Sequence, residues 1–360
     1  MAKAYHTTRT GFFIFLLTSL LWSQPSLAEF NGEFFLFPQA DALFRSGINP
    51  PDSDQGGHHG PLDEDHYEAA VDFFLTYEVG NFRFLGEYLM STEEQDLERL
   101  QLGWVFGSRL FWLGRFHNPV GDWNTRFHHG AYIQTSISRP AIVAYEEHDG
   151  ILPMHQTGLL AEGMFDTARG NMGYSLSLAQ GPEFDGVLHP LDVLDPSTGQ
   201  HDTSVTLNLF RQQENGRIGL FGNYNRIPSV HEDLNEIKQW ILGGFIDHEF
   251  ERGNVYTAMY YVSNQLIGPA GILDDSFLNA FFQAEYQVSQ KLRIFGRVEG
   301  TDGSKGDHYL ALFPNFVKGR LLAGVRYDFV RKNALKLEIS SNQIQADHYN
   351  QLMLQWSAQF

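Results

Sequence analysis

The sequence predicts an all-β fold: a transmembrane antiparallel up-and-down barrel of about 16 strands, with 18 or 14 as the alternatives. Three observations carry this. Apolar and polar residues alternate with period two along most of the chain. Short turn segments alternate with longer connections. Beyond Ala28, no stretch approaches the roughly 20 apolar residues that a membrane-crossing helix requires. The composition agrees, with Phe at 30, Tyr at 15 and Gly at 35 among 360 residues, the mixture of strands and turns.

The first element is an export signal. Lys3 and Arg9 form a basic start, Gly11 to Trp22 is almost wholly apolar, and Ser26-Leu27-Ala28 presents small residues for cleavage. The apolar run is too short for a permanent span, so residues 1–28 are read as a cleaved secretory signal and 29–360 as one barrel domain. Lys3 and Arg9 are the only charged side chains of that signal. Removing them takes the formal charge from −18 to −20, which excludes a basic nucleic-acid surface. With no cysteine in the chain, disulfide frameworks and thiolate metal sites are excluded.

The strands follow in order. Val71, Phe73, Leu75, Tyr77 and Val79 alternate with Asp72, Thr76 and Glu78. Phe82, Phe84, Gly86 and Tyr88 face away from Arg83 and Glu87, and Leu100, Leu102, Trp104 and Phe106 from Arg99 and Gln101. Further on, Leu278, Ala280, Phe282 and Ala284 oppose Asn279, Gln283 and Glu285, and Leu335, Leu337 and Ile339 oppose Lys336, Glu338 and Ser340. The last strand sets Leu352, Leu354, Trp356, Ala358 and Phe360 against Gln351, Met353, Gln355, Ser357 and Gln359. A strand sends alternate side chains to opposite faces. So many two-faced strands fit a barrel with lipid outside and water inside, whose closure removes the edges.

Short turns are expected at Gly80-Asn81, Gly107, Thr167–Asn171, Glu214–Gly216, Glu251–Gly253, Ser289-Gln290 and Arg331–Asn333. The connections between them are expected at 38–65, 93–94, 118–153, 181–201, 227–234, 265–275, 302–317 and 344–346, mostly longer and external. Reading Ala131–Ser138 and Ala141–Glu146 as strands would give the 18-stranded alternative.

With its even strand count, long third external connection 118–153 and terminal strand Leu352–Phe360 ending on an aromatic residue, the mature chain resembles the trimeric general porins of Gram-negative outer membranes in architecture. The resemblance implies an outer-membrane location among lipid and lipopolysaccharide. It implies insertion by the barrel-assembly machinery through Trp356 and Phe360, a third loop folded into the pore, passage of small hydrophilic solutes and a homotrimer. The second external connection, 93–94, departs from that pattern: in the family the corresponding loop is longer and latches onto a neighbour.

Candidate functional residues come in four groups. Arg83, Arg99, Arg109, Arg115, Arg293, Arg297 and Arg326 are expected on the lumen face as a basic pore wall, and Asp122, Glu146, Glu147 and Asp149 as an acidic lip on 118–153. Opposed charges across a narrow aqueous gap set up a transverse field that orients solutes. The alternative is that the arginines pair with Asp72, Glu87, Glu98 and Asp328 and brace the lumen. His117, Trp123, His128, His129, His148 and His155 could bind a solute or metal ion, with His128, His129 and His148 the metal candidates. The acidic first loop, with His58-His59 and with Asp41, Asp52, Asp54, Asp63, Glu64 and Asp65 against Arg45, could capture cations or bridge to lipopolysaccharide. Trp104, Trp112, Trp240, Trp356, Tyr88, Tyr286 and Tyr327 are expected on the lipid side near the bilayer interfaces.

No Gly-x-Ser-x-Gly, phosphate-binding glycine loop or His-Glu-x-x-His occurs, and Ser175, Ser177, Ser204, His201 and His248 form no specific catalytic pattern. The expectation is a diffusion pore without cofactor or enzymatic activity. A substrate-specific channel using 117–155, or a non-conducting adhesin or anchor, are the other readings.

Overall fold

The structure is a computed structural model that describes residues 31–47, 65–93, 95–127, 130–144, 150–168, 170–197, 199–345 and 347–360. Residues 1–30, with the export signal expected from the sequence, and most of the first loop, His58 and His59 included, lie outside these residues. The period-two segments form β1 (Asn31–Ser46), β2 (His66–Val79), β3 (Phe82–Ser91), β4 (Gln95–Phe106), β5 (Arg109–His117), β6 (His155–Thr167) and β7 (Gly170–Gln180). A small hairpin, β8 (Glu183–Phe184) and β9 (Leu188–His189), precedes β10 (Thr203–Gln213), β11 (Gly216–Pro228), β12 (Glu236–Phe250) and β13 (Gly253–Gly268). The chain ends with β14 (Gly271–Gln287), β15 (Leu292–Asp302), β16 (Gly319–Val330), β17 (Asn333–Gln343) and β18 (His348–Ala358).

All but the hairpin strands close into one antiparallel barrel of 16, with β1 paired to β18 and every other strand to its neighbours along the chain. Closure satisfies the backbone groups that hydrocarbon would leave unpaired. The terminal Phe360 completes the seam by exchanging backbone hydrogen bonds with Leu36 at 2.9 and 3.1 Å.

The outer surface is apolar in continuous rows. Leu207, Gly222, Leu242, Tyr261 and Leu278 follow one another in register across β10 to β14, and the four with side chains are all exposed. Phe282, Val298, Leu321 and Ile339 are likewise exposed. Apolar surface of this extent is unsustainable in water and is the signature of a hydrocarbon-facing wall.

Three boundaries differ from the sequence reading. β1 runs to Ser46, through Pro38. Proline lacks the N–H for a ladder bond, and the pairing with β18 begins only after it, at Gln39, while the pairing with β2 continues through Pro38 opposite Val71. The expected connection 265–275 shrinks to Pro269-Ala270, because β13 and β14 stay paired up to Gly268 opposite Gly271. Polar pairs such as Gln265 to Asp274, 3.0 Å, extend this ladder, and polarity alone had suggested a loop. Finally, 131–138 is non-strand and Ala141–Val143 is a short 3-10 turn. Their backbone groups bond to barrel side chains instead of to a neighbouring strand.

Candidate functional site: a lumen half filled by its third loop

The segment after β5 lies against the inner wall. Asn118 donates through its backbone N–H to Met154 O, 2.7 Å, and through its amide to Pro153 O, 2.8 Å, which ties the two roots of the segment together. Thr206 and Asn208 of β10 then hold it, the first by a bond to the Asn118 amide oxygen, 2.6 Å, the second by a bond to Gly121 O, 3.1 Å. Gly121 adopts φ +84°, and a Cβ there would come within 2.5 Å of the Tyr260 hydroxyl. Only glycine permits so close an approach to β13.

A one-turn helix, Trp123–Arg126, follows. Trp123 is 2% exposed, with its ring 5.3 Å from Tyr256 and 5.8 Å from Phe281. Asp122 accepts from Arg126, 2.9 Å, and from Arg217 of β11, 3.3 Å, and Arg126 also pairs with Asp247 of β12. Burial raises the Asp122 carboxyl above its ordinary value, against the pull of the two guanidiniums.

From Ala131 to Ala141 the segment is clamped by charged side chains of β14 to β17. Arg326 donates to Tyr132 O, 2.7 Å, and Gln134 O, 2.9 Å. Glu285 accepts from the Thr135 hydroxyl, 2.7 Å. Arg297 donates to Ser138 O, 3.0 Å, and Arg320 to Arg139 O, 2.8 Å. Glu338 accepts from Ile137 N, 2.9 Å, and from the N–H and hydroxyl of Ser138, and Glu299 accepts from Ala141 N, 2.7 Å. Lys336 donates to Ala131 O and Ser136 O. A segment without strand pairing must find partners for its backbone polar groups, and here ionised wall residues supply them as charge-assisted bonds.

Under this clamp lies an apolar core inside the barrel, which the simple rule of a polar interior does not anticipate. Val120, Trp123, Ile142, Val143, Ile151, Leu152 and Met154 pack with Phe221, Ile241, Phe245, Tyr256, Tyr260 and Phe281 of β11 to β14. Two other connections join in, through Phe184 and Leu188 of the hairpin and through Tyr309, Phe313 and Phe316 between β15 and β16. Each such side chain contributes roughly 1.5–3 kcal/mol when fully buried, so the packing of the segment on this side of the lumen is strongly stabilised.

The opposite wall is different. Phe35, Gln39, Asp41 and Arg45 of β1, Phe74 of β2, Leu85 of β3, Arg99 of β4 and Gln351 of β18 are only partly buried. Gly130, φ +57°, brings the segment against Phe37, whose ring a Cβ would meet at 2.6 Å.

The expected site residues distribute accordingly. Arg83 and Arg99 lie in the inner wall, Arg83 near the short-turn rim with Glu78, 2.9 Å, and Arg99 with Glu87, 2.7 Å. Arg109 is a correction: it pairs in register with Phe106 and shares the outward face of Phe111 and Leu113, since the two-residue turn Gly107-Ser108 sets that parity. Arg115 is also displaced from the wet wall. It stands opposite Leu100 and is buried, donating to Asp96, 3.0 Å, and to Glu98 O and Leu191 O. Arg293 reaches Thr135 weakly, at 3.4 Å, while Arg297 and Arg326 are buried beneath the segment.

Asp122 does not oppose Arg83, Arg99 or Arg115; it is committed to Arg126 and Arg217. Glu146, Glu147, Asp149, His128, His129 and His148 lie outside the described residues. His117 and His155 face each other across β5 and β6. Trp112 is the exception among the aromatic residues expected on the lipid side. Its ring N–H donates to Glu162, 3.0 Å, and it packs beside Phe116 and Leu160 on the inner face, whereas Trp104, Trp240, Tyr286 and Tyr327 are exposed outside. Trp356 pairs with Leu335 and Ala40 at the seam.

The clamp residues Glu285, Glu299, Arg320, Lys336 and Glu338 were not singled out from the sequence. Their inward parity was legible; their partners were not.

Comparison with solved structures shows the fold. The chain is similar to the outer membrane channel DcaP of Acinetobacter baumannii, at 13% identity and a TM-score of 0.58, over 91% of this chain and 97% of that one. It is also similar to OmpT of Vibrio cholerae, at 9% identity and a TM-score of 0.60, over 94% and 99%. OmpF of Salmonella typhi, solved with daunomycin, matches at 12% identity and a TM-score of 0.56, over 91% and 97%. The porin-like barrel is therefore shared across nearly the whole described chain. No family model and no curated protein matches the sequence.

Proposed function

We propose that this chain is a channel-forming barrel of a Gram-negative outer membrane that lets small hydrophilic solutes diffuse passively through a narrowed lumen. One observation carries the reading: the segment from Asn118 to Val143 is packed against β10 to β17, while charged and polar side chains of β1 to β4 and β18 remain partly exposed on the other side. The open path runs between the segment and that wall. Its charges include Asp41, Arg45, Glu68, Arg83 and Arg99, with Glu78 at the short-turn rim, so the field across it is mixed rather than a basic wall facing an acidic lip. The role is transport rather than catalysis, and the apolar belt gives the barrel its lipid and lipopolysaccharide surroundings. Export by residues 1–28 and insertion through the Trp356–Phe360 end fit the same location. Assembly as a homotrimer belongs to the same proposal.

Planar-bilayer recording of the purified protein tests this. Discrete conductance steps are expected, larger after deletion of Val120–Gly150. The extent of apolar filling favours a second reading, a non-conducting barrel used as an anchor or adhesin. Absence of steps at any voltage would select it. Permeation ordered by solute size supports a general pore, and saturation by one solute a specific channel.

A further inference from the structure

Glu98, His117 and His155 form a compact buried cluster at the loop end of β4, β5 and β6. The register sets His117 directly opposite His155, and pairing of Leu100 with Arg115 two residues away brings Glu98 to the level of His117. The three side chains are 6%, 4% and 0% exposed. His155 Nε2 lies 2.8 Å from Glu98 Oε2, and His117 Nε2 lies 3.9 Å from the same oxygen. One ligand atom from each residue falls within 4.8 Å of the others.

We propose that this cluster is a binding site for a divalent transition-metal ion of the zinc class. Two imidazoles and one carboxylate are a donor set that such ions take, with metal–ligand bonds near 2.0–2.2 Å. Ligands on a tetrahedral ion of that size are separated by roughly 3.3–3.5 Å. The two distances at Glu98 straddle this span, so small rotations of the three side chains bring them around one centre, with a fourth position left for water. The charge is also suitable: the Glu98 carboxylate brings a negative charge to the two imidazoles, beside the Arg115–Asp96 pair, 3.0 Å.

The site stands at a consequential place. His117 is the last residue of β5 and His155 the first of β6, so the whole inward segment hangs between two of the three ligands. A bound ion cross-links the roots of the segment to β4 and fixes the point from which it enters the lumen. The metal candidates of the sequence, His128, His129 and His148, lie outside the described residues; among the described residues the geometry assigns a site to His117 and His155, with a glutamate from a third strand.

The test is made on the full chain, folded in detergent and stripped with chelator. Titration with Co²⁺ should produce the absorption bands of a low-symmetry four- or five-coordinate site at one equivalent, and Zn²⁺ should displace them. Zn²⁺ should also raise the thermal midpoint. His117→Ala should weaken binding by roughly tenfold or more and abolish the thermal shift, and Glu98→Gln should do the same. If His117→Ala does not fold, His117→Gln replaces it. No Co²⁺ bands in the wild-type barrel, or bands and affinity that persist unchanged in both variants, overturn the proposal. These readouts do not depend on conduction, so a barrel that conducts but binds no metal removes this inference alone.

Discussion

If Glu338 holds the inward segment, its removal should let residues 136–138 leave the wall while the barrel stays closed. The Glu338 carboxylate is 1% exposed and accepts from Ile137 N at 2.9 Å, from Ser138 N at 3.3 Å and from the Ser138 hydroxyl. Bonds to an ionised acceptor contribute about 1.5–3 kcal/mol each, and three sharing one group do not add fully. Glu338→Ala leaves those donors buried without the acceptor, and about 3 kcal/mol is a fair total for the docking equilibrium. That corresponds to roughly a hundredfold rise in the undocked population. The native chain contains no cysteine, so Ser136→Cys provides a single reporter at a side chain that is 1% exposed. The assay is the labelling rate of that thiol by a charged maleimide, measured with and without Glu338→Ala in barrels whose heat-modifiable mobility shows that they are folded. Labelling should accelerate about a hundredfold, in proportion to the open population. A rate changed by less than about threefold would refute the claim that this carboxylate anchors the segment.

Other perturbations read other parts of the structure. Trp123→Ala empties a site packed against Phe127, Tyr256 and Phe281 and should destabilise the docked segment by about 3–5 kcal/mol; increased conductance noise in bilayers and a lower thermal midpoint would both report it. Phe282→Arg puts a charge on the lipid face, at a side chain 45% exposed, and should cost about 2–4 kcal/mol if it lies near the bilayer midplane. Folding yield into vesicles against denaturant measures that cost, and an unchanged yield contradicts the outward assignment. The Asp122 carboxyl is raised from an ordinary 3.8 by burial, so the folded state prefers its protonated form. That contribution to stability is complete below the ordinary value and is lost as pH rises through the raised one. Asp122→Asn should therefore flatten the fall of the thermal midpoint above pH 3.8; parallel profiles in the two proteins would count against it.

The path of the chain around the barrel was written in the sequence. Alternations such as Leu335-Lys336-Leu337-Glu338 specify strand faces because side-chain direction repeats every two residues, and the turn residues at Gly80-Asn81 and Gly107 locate the reversals. The face of Phe282 follows from that periodicity alone. The lumen did not yield to the same reasoning. Arg297 and Arg99 share the inward parity, yet one is sealed beneath Ser136 and Ser138 and the other is partly exposed beside Glu87. Parity is a property of one strand, whereas burial depends on what crosses the barrel from far along the chain. For the same reason Phe221, Tyr260 and Phe281 broke the expected polar interior: their partners are Val120, Trp123 and Ile142, residues of a segment with no period to read. Local sequence determines which way a side chain points. Only tertiary structure decides what it meets there, because the free energy of that meeting comes from surfaces and charges that the strand itself does not contain.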